Sequence, residues 1–192
     1  MLPAHVTLRV RSDVPSLRTV PIVRAIEETF ARGCEREEFR LVHYSLQGNH
    51  AHLVVEARNR DALGRGMKAI GARLALAVNR IARRTGPVLA DRYHARMLST
   101  PREVRNVLRY VLLNARHHLG AAGRVVDVAM ARLDPASSGR WFDGWKSKVG
   151  GRARGDTTSA SAPEPAVARA RTWLLDAGWR RHGRLDPWDI PG

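Results

Sequence analysis

Alternating apolar and polar positions predict four strands. From His5 to Val10 the apolar residues fall at every second position, as on a strand with one buried face. Phe39 to Leu46 and His50 to Ala57 are rich in apolar and β-branched residues, and the turn Gln47-Gly48-Asn49 joins them as a hairpin. Tyr93 to Leu98 is the fourth predicted strand.

Three further segments repeat their apolar residues at helical spacing. The first begins near Pro21, which suits the first turn of a helix, and runs to about Glu37. The second covers residues 62–84. The third begins after the capping pair Ser99-Thr100, with Glu103 soon after, and runs to about His118. The stripes expected to face the core are Ile22, Ile26, Thr29 and Phe30 in the first helix; Leu63, Met67, Ile70, Leu74, Val78 and Ile81 in the second; and Val104, Leu108, Val111, Leu112 and Ala115 in the third.

The order β-α-β-β-α-β-α predicts an α+β fold. It fits a ferredoxin-like split βαβ arrangement, in which an antiparallel sheet carries helices on one face. Residues 1–120 form this domain, and 121–192 form a basic, Trp-containing C-terminal extension with a linker near 150–165 and a short helix over 165–177. The tryptophans of the extension are expected to pack it onto the core, against the alternative that they stack on exposed bases: Trp141, Trp145, Trp173, Trp179 and Trp188.

The charge of the chain points to a polyanionic partner. The 192 residues include 33 Lys and Arg against 18 Asp and Glu, a formal net charge of +15. Most of the basic residues are Arg, whose planar guanidinium binds phosphate through two hydrogen bonds. Nucleic acid is therefore the expected partner, although an Arg bias is also found in chains from GC-rich genomes.

The remaining composition indicates a cytoplasmic protein. Cys34 is the only cysteine, which excludes an intramolecular disulfide and a metal site built from several cysteines. No apolar stretch approaches the roughly 18 residues of a membrane span, and the N-terminus lacks a signal-peptide pattern. We expect no membrane association.

Two pairs of polar residues are the candidates for chemistry. His50 and His52 are two residues apart on a predicted strand, so both side chains point to one face. Tyr110 and Asn114 are one turn apart on a helix. Histidines on strands and tyrosines within helices often have only packing roles. Together, however, two imidazoles, an amide oxygen and a phenol could converge on one metal ion and one phosphate.

These residues resemble a known family. Asn49-His50-Ala51-His52-Leu53 is similar to the HUH motif, and Tyr110-Val-Leu-Leu-Asn114 is similar to the Tyr-x-x-x-Asn element of single-tyrosine HUH transposases. The nearest likeness is to the REP-associated tyrosine transposases, relatives of small bacterial insertion-sequence transposases. The resemblance covers roughly residues 5 to 118. The chain departs from it at Gln47-Gly48, where the family often has Met-Pro, and at Ala115, where the family often has Pro.

The resemblance implies an enzyme that cleaves and rejoins hairpin-containing single-stranded DNA. His50, His52 and Asn114 would be the ligands of a divalent metal, Mg²⁺ or Mn²⁺, and Tyr110 the nucleophile that forms a 5′-phosphotyrosine. A phenol has a pKa near about 10, so Tyr110 needs activation. His94 and His117 are the candidate bases, beside the simpler interpretation that both are surface histidines.

The DNA is expected to follow the most basic part of the chain. Residues 58–96 carry ten Lys or Arg and two acids. We expect the polar face of the helix over 62–84 and the segment after it to track the DNA backbone, against the alternative of an ordinary solvated helix face. The residues of this predicted track are Arg65, Lys68, Arg80, Arg83, Arg84, Arg92 and Arg96.

Other functions stay open at this point. A domesticated, non-catalytic DNA-hairpin-binding protein would keep the fold but would not need intact His50, His52, Tyr110 and Asn114. Relaxases and replication initiators use similar chemistry in chains that are usually larger. An RNA-binding ferredoxin-like module would display aromatic residues on its strands, where this chain has Tyr44 and Tyr93. Both a monomer and a homodimer fit the sequence.

Overall fold

The computed structural model describes residues 1–121, 133–147 and 165–189. Its strands are β1 (Leu2–Arg9), β2 (Glu35–Arg36), β3 (Phe39–Leu46), β4 (His50–Ala57) and β5 (His94–Met97). Its helices are α1 (Val20–Ala31), α2 (Arg60–Ala82), α3 (Pro101–Ala121) and the single turn α4 (Trp173–Asp176). Among these described residues, no helix is long and apolar enough to cross a membrane.

The described strands form one antiparallel sheet in the order β2-β3-β4-β1-β5. Without the two-residue β2, this is the strand order of a split βαβ fold: β1 and β4 lie in the centre, and α1 and α2 are the two crossovers. The predicted α+β class and antiparallel sheet are therefore confirmed. The predicted hairpin is also present, since β3 and β4 pair on either side of the Gln47–Asn49 turn.

Helices cover both faces of the sheet, so the prediction that they lie on one face is wrong for α3. α1 and α2 pack on the face that carries Val6, Leu41 and Leu53. α3 packs on the opposite face, where Val42 and Val54 lie. The reason is visible in β3 and β4, whose side chains are almost all buried on both faces and therefore need a cover on each side.

The helix boundaries depend on local caps. Asn59 accepts a hydrogen bond from the Ala62 amide and begins α2, while Arg83, with φ of 50°, ends it in a left-handed cap. Thr100 and Glu103 form the predicted capping box of α3, in which each side chain bonds the amide of the other residue.

Two expected helix segments are wrong. α1 ends at Ala31 rather than near Glu37, because the chain turns at Gly33 and the next residues pair with β3 as β2. The helix expected over 165–177 is reduced to α4, because the chain before it runs along the edge of β3, where the Ala168 amide bonds the Leu41 carbonyl. In α2, Ile81 is 37% exposed and does not belong to the buried stripe.

The described parts of the extension pack over α3. Trp145 and Trp179 are buried there, together with Phe142, Leu175 and Leu185. Trp141 packs against the other side of the core, whereas Trp173 and Trp188 are about half exposed, at 51% and 47%. Packing therefore accounts for three of the five tryptophans. The predicted linker near 150–165 lies outside the described residues except for its last position.

Candidate functional site

One face of the sheet brings together polar residues from three neighbouring strands. Residues directly opposite each other in antiparallel strands point to the same face. His52 of β4 pairs with Thr7 of β1, and Thr7 pairs in turn with His94 of β5. In the adjacent row, His5 of β1 pairs with Arg96 of β5. These side chains share the face on which α3 packs.

His50 and His52 approach each other closely on this face. Their Nε2 atoms lie 3.0 Å apart. His50 Nδ1 donates a hydrogen bond of 2.8 Å to Asn49 Oδ1, which orients its ring with Nε2 toward His52. Two imidazole nitrogens come this close when they share a proton or a metal ion. The strand spacing thus places both rings as the sequence predicts.

A second layer of polar atoms lies behind His52. His52 Nδ1 is 3.2 Å from His5 Nε2 and 3.3 Å from Thr7 Oγ1. Burial lowers the pKa of His5 below its ordinary value, and the charge of nearby Arg96 lowers it further. A neutral imidazole can accept a hydrogen bond from His52 Nδ1, which leaves His52 Nε2 as the nitrogen facing His50.

α3 places Tyr110 against the same histidine. The Tyr110 hydroxyl lies 3.3 Å from His52 Nε2, and its ring meets the His52 ring edge to face, with centroids 5.0 Å apart. The helix is held in place because Val104, Leu108 and Val111 are buried against the sheet and the extension. Three polar groups, two Nε2 atoms and one phenol, therefore share one small volume.

Asn114 is buried one helical turn beyond Tyr110. It has no exposed surface, although the sequence pattern places it off the apolar stripe. Neither its Oδ1 nor its Nδ2 has a hydrogen-bond partner among the residues that the structure describes. A buried amide without partners costs free energy, roughly 1–3 kcal/mol. Such a group is expected where a ligand supplies the missing interaction.

These donors fit a divalent metal. Two imidazole nitrogens and an amide oxygen suit ions that tolerate mixed ligands, such as Mn²⁺, and the unpartnered amide of Asn114 has an oxygen that would be available to such an ion. Within the described residues, no three His, Cys, Asp or Glu side chains are grouped to hold an ion. A metal site here would therefore need the amide as its third protein ligand, as the resemblance implies.

A cavity of about 460 Å³ opens beside Tyr110, between β5 and α3. Arg96 lies in its wall and forms a 2.8 Å ion pair with Glu103. Hydrogen bonds from the backbone and hydroxyl of Ser99, from Arg96 and from the Thr100 backbone hold the pKa of Glu103 at about 2. The carboxylate therefore stays ionised and fixes Arg96 at the cavity wall. The other lining residues are His5, Asn106, Val107, Arg109 and Tyr110.

The residues of the predicted DNA track lie on two faces of the sheet. Arg96 faces α3 and the histidines. Arg65, Lys68, Arg80 and Arg83 belong to α2 and its C-terminal cap, on the opposite side. Arginines of this track also form ion pairs within the protein: Arg65 with Glu38, Arg80 with Glu28, and Arg84 with Asp13. Arg92 borders a second cavity, of about 500 Å³, between β5 and α2.

Of the two candidate general bases, only His94 has a side chain among the described residues. His94 is exposed and lies in the same row as Thr7 and His52, on the site face. His117 lies in the part of α3 after Asn114, whose side chains are outside the described residues. Among the described residues, no hydrogen bond joins His94 to the Tyr110 hydroxyl.

Sequence reasoning missed His5 and Thr7. Their signal was present, since both occupy the polar positions of the alternating first strand, at the same spacing of two as His50 and His52. What the pattern lacked was the register that places β1 beside β4 and brings these positions behind His52.

No protein-family model and no curated protein sequence matches this chain. Among solved structures, it is similar to a REP-associated tyrosine transposase bound to a REP hairpin, with 11% sequence identity and a TM-score of 0.49, over 65% of this chain and 70% of that one. It is also similar to a candidate transposase from Deinococcus radiodurans R1, with 13% identity and a TM-score of 0.43, over 51% of this chain and 79% of that one.

Proposed function

We propose that this protein is a metal-dependent tyrosine transposase that cleaves and rejoins hairpin-containing single-stranded DNA. The observation that carries the proposal is the meeting of Tyr110 with the histidine pair: its hydroxyl is 3.3 Å from His52 Nε2, which is itself 3.0 Å from His50 Nε2. A helix tyrosine in contact with one of two adjoining strand histidines places a nucleophile beside the candidate metal ligands, as metal-assisted attack requires.

The chemistry belongs to the Tyr110 hydroxyl. Its oxygen attacks the scissile phosphorus, a new O–P bond forms, and the bond from phosphorus to the 3′ oxygen breaks. The phenol loses its proton and the departing 3′ oxygen gains one. The products are a 5′-phosphotyrosine and a free 3′-OH. Because the phosphodiester energy is kept in the covalent link, a second 3′ end can reverse the step and complete strand transfer.

His50, His52 and Asn114 would hold a divalent ion, Mg²⁺ or Mn²⁺. Such an ion supplies Lewis-acid stabilisation of the charge that develops on the phosphate. Asn49 orients the His50 ring, and His5 with Thr7 orients the His52 ring. The packing of α3 on the sheet keeps the Tyr110 hydroxyl beside the pair.

The test is formation of a covalent protein–DNA adduct. Purified protein is incubated with Mn²⁺ or Mg²⁺ and a labelled library of single-stranded hairpin oligonucleotides, and the product is separated under denaturing conditions. We expect an adduct that is lost in Tyr110→Phe and His52→Ala. Tyr93→Phe is the matched control, because it removes a phenol hydroxyl from the opposite face of the sheet and should leave the adduct unchanged.

Three results would contradict the proposal. Tight hairpin binding without an adduct in either metal would indicate a domesticated binding protein. An adduct that survives Tyr110→Phe would mean that another residue is the nucleophile. Preference for RNA over DNA hairpins in competition binding would indicate an RNA-binding module.

A further inference from the structure

We propose that the cavity between β5 and α3 binds the nucleotide next to the scissile phosphate, with Arg96 as its phosphate contact. The proposal rests on the proposed function and assigns the path by which the strand leaves Tyr110. Tyr110 forms one wall of the cavity. A nucleotide in the cavity is therefore adjacent to the phosphate that Tyr110 attacks.

The size and lining of the cavity suit one nucleotide. Its volume of about 460 Å³ lies within the range of small-molecule sites, roughly 300–1,000 Å³. Val107 offers an apolar surface to a sugar or base, and the exposed Asn106 offers an amide that can both donate to and accept from a base edge.

Arg96 is the basic residue of the cavity wall whose guanidinium is both held in place and accessible to a ligand. Its Nη2 is held by Glu103 Oε1 at 2.8 Å, and the other oxygen of that carboxylate accepts bonds from Ser99 and Thr100. Its side chain is nevertheless 67% exposed, so the remaining N–H groups of the guanidinium can reach a phosphate. Arg109, the second cation, is already bound by both carboxylate oxygens of Asp189, at 2.7 and 3.0 Å.

Arg58 provides a matched control beyond the C-terminal end of β4. Its side chain is 70% exposed, and its Nη1 is held by Glu38 at 3.0 Å, a carboxylate 31% exposed against 29% for Glu103. The two arginines thus share exposure and type of ion pair. Of the two, only Arg96 lines the cavity beside Tyr110.

The experiment measures the affinity of the full chain for a short, fluorescent single-stranded oligothymidylate in EDTA, at several salt concentrations. We expect Arg96→Gln to weaken binding several-fold and to reduce the slope of log K against log salt by about one phosphate contact. Arg58→Gln should leave both unchanged. Thermal unfolding of each variant verifies that it is folded.

The contact with the nucleobase is tested with Asn106→Ala and with an oligomer of the same length that lacks nucleobases. Asn106→Ala should weaken binding of the oligothymidylate and leave the abasic oligomer unaffected. Wild-type affinity and slope in Arg96→Gln, an equal loss in Arg58→Gln, or the same effect of Asn106→Ala on both oligomers would each overturn the assignment. Since no metal or cleavage is involved, these results are separate from the adduct test: Arg96-dependent binding without any adduct would refute the proposed chemistry and keep the nucleotide site.

Discussion

Asn114 is a buried amide whose side chain makes no hydrogen bond to the described residues. Folding alone gives no reason to keep it there, since an apolar residue of similar size would avoid the cost of an unsatisfied polar group. If the amide serves as a metal ligand, it lowers the stability of the metal-free protein but contributes to the affinity for the metal.

We therefore expect Asn114→Leu to raise the free energy of unfolding in EDTA by about 1–3 kcal/mol and to abolish Mn²⁺ binding. Urea denaturation and titration with Mn²⁺ measure the two effects. Asn59→Leu is the control, because Asn59 caps α2 through the Ala62 amide and its loss should destabilise by about 1 kcal/mol. A large loss of stability in Asn114→Leu with unchanged Mn²⁺ affinity would assign Asn114 a purely structural role.

His5 is expected to act as a positioning residue for His52. A histidine that ligates through Nε2 carries its proton on Nδ1 and needs an acceptor there, and loss of such a partner typically weakens metal binding about 10–100-fold. His5→Phe should therefore reduce the Mn²⁺ affinity of the DNA-free protein by at least roughly tenfold.

The matched variant is His5→Gln, which keeps a polar group that can accept from His52 Nδ1 and should retain most of the affinity. Thr7→Val removes the other neighbour of Nδ1 and should add to the effect of His5→Phe. Equal Mn²⁺ affinity in wild type and His5→Phe would show that His52 does not depend on His5.

The candidate site could be predicted only in part from single residues. The spacing of two in His50-Ala51-His52 fixed a common face, because it depends on nothing beyond one strand. The partners His5 and Thr7 come from another strand, and their pairing depends on a register that no local pattern encodes. The complete burial of Asn114 was likewise hidden, because it depends on tertiary packing around α3.

At the level of elements, the strongly periodic segments were predicted well. α2 and α3 begin within two residues of the predicted positions, since a cap side chain marks each start. α1 was predicted too long because the apolar and charged residues after Ala31 continue a helical pattern, while the turn at Gly33 and the pairing of β2 with β3 decide the actual end.

The side of the sheet on which each helix packs was not predicted for α3. Helical periodicity identifies the apolar stripe of a helix but not the surface that the stripe meets. The strands held the missing information: the run Leu53-Val54-Val55 is apolar at consecutive positions, which indicates burial on both faces. For the same reason, the basic face of α2 could be recognised as exposed but not placed relative to the histidines.

At the level of the whole molecule, part of the positive charge holds the C-terminal extension to the rest of the chain. Four ion pairs join the described extension to the sheet and its helices, and each uses an arginine: Arg18–Asp134, Arg140–Glu27, Arg171–Glu35 and Arg109–Asp189. Buried Glu56 adds a further link, since it accepts bonds from the Arg171 and Thr172 backbones and the Thr172 hydroxyl. A count of arginines thus overstates the number available to phosphates.

The contact between Tyr110 and His52 is made within one chain, and this has a consequence for the kinetics of the protein. If the nucleophile and the histidines that serve it belong to the same molecule, the rate of adduct formation per mole of protein should not change on dilution. A mixture of Tyr110→Phe and His52→Ala proteins should also stay inactive, because no chain in the mixture contains both Tyr110 and His52. Recovery of activity on mixing would mean that two chains exchange α3. Without such exchange, the proposed cleavage would need only one molecule at each hairpin.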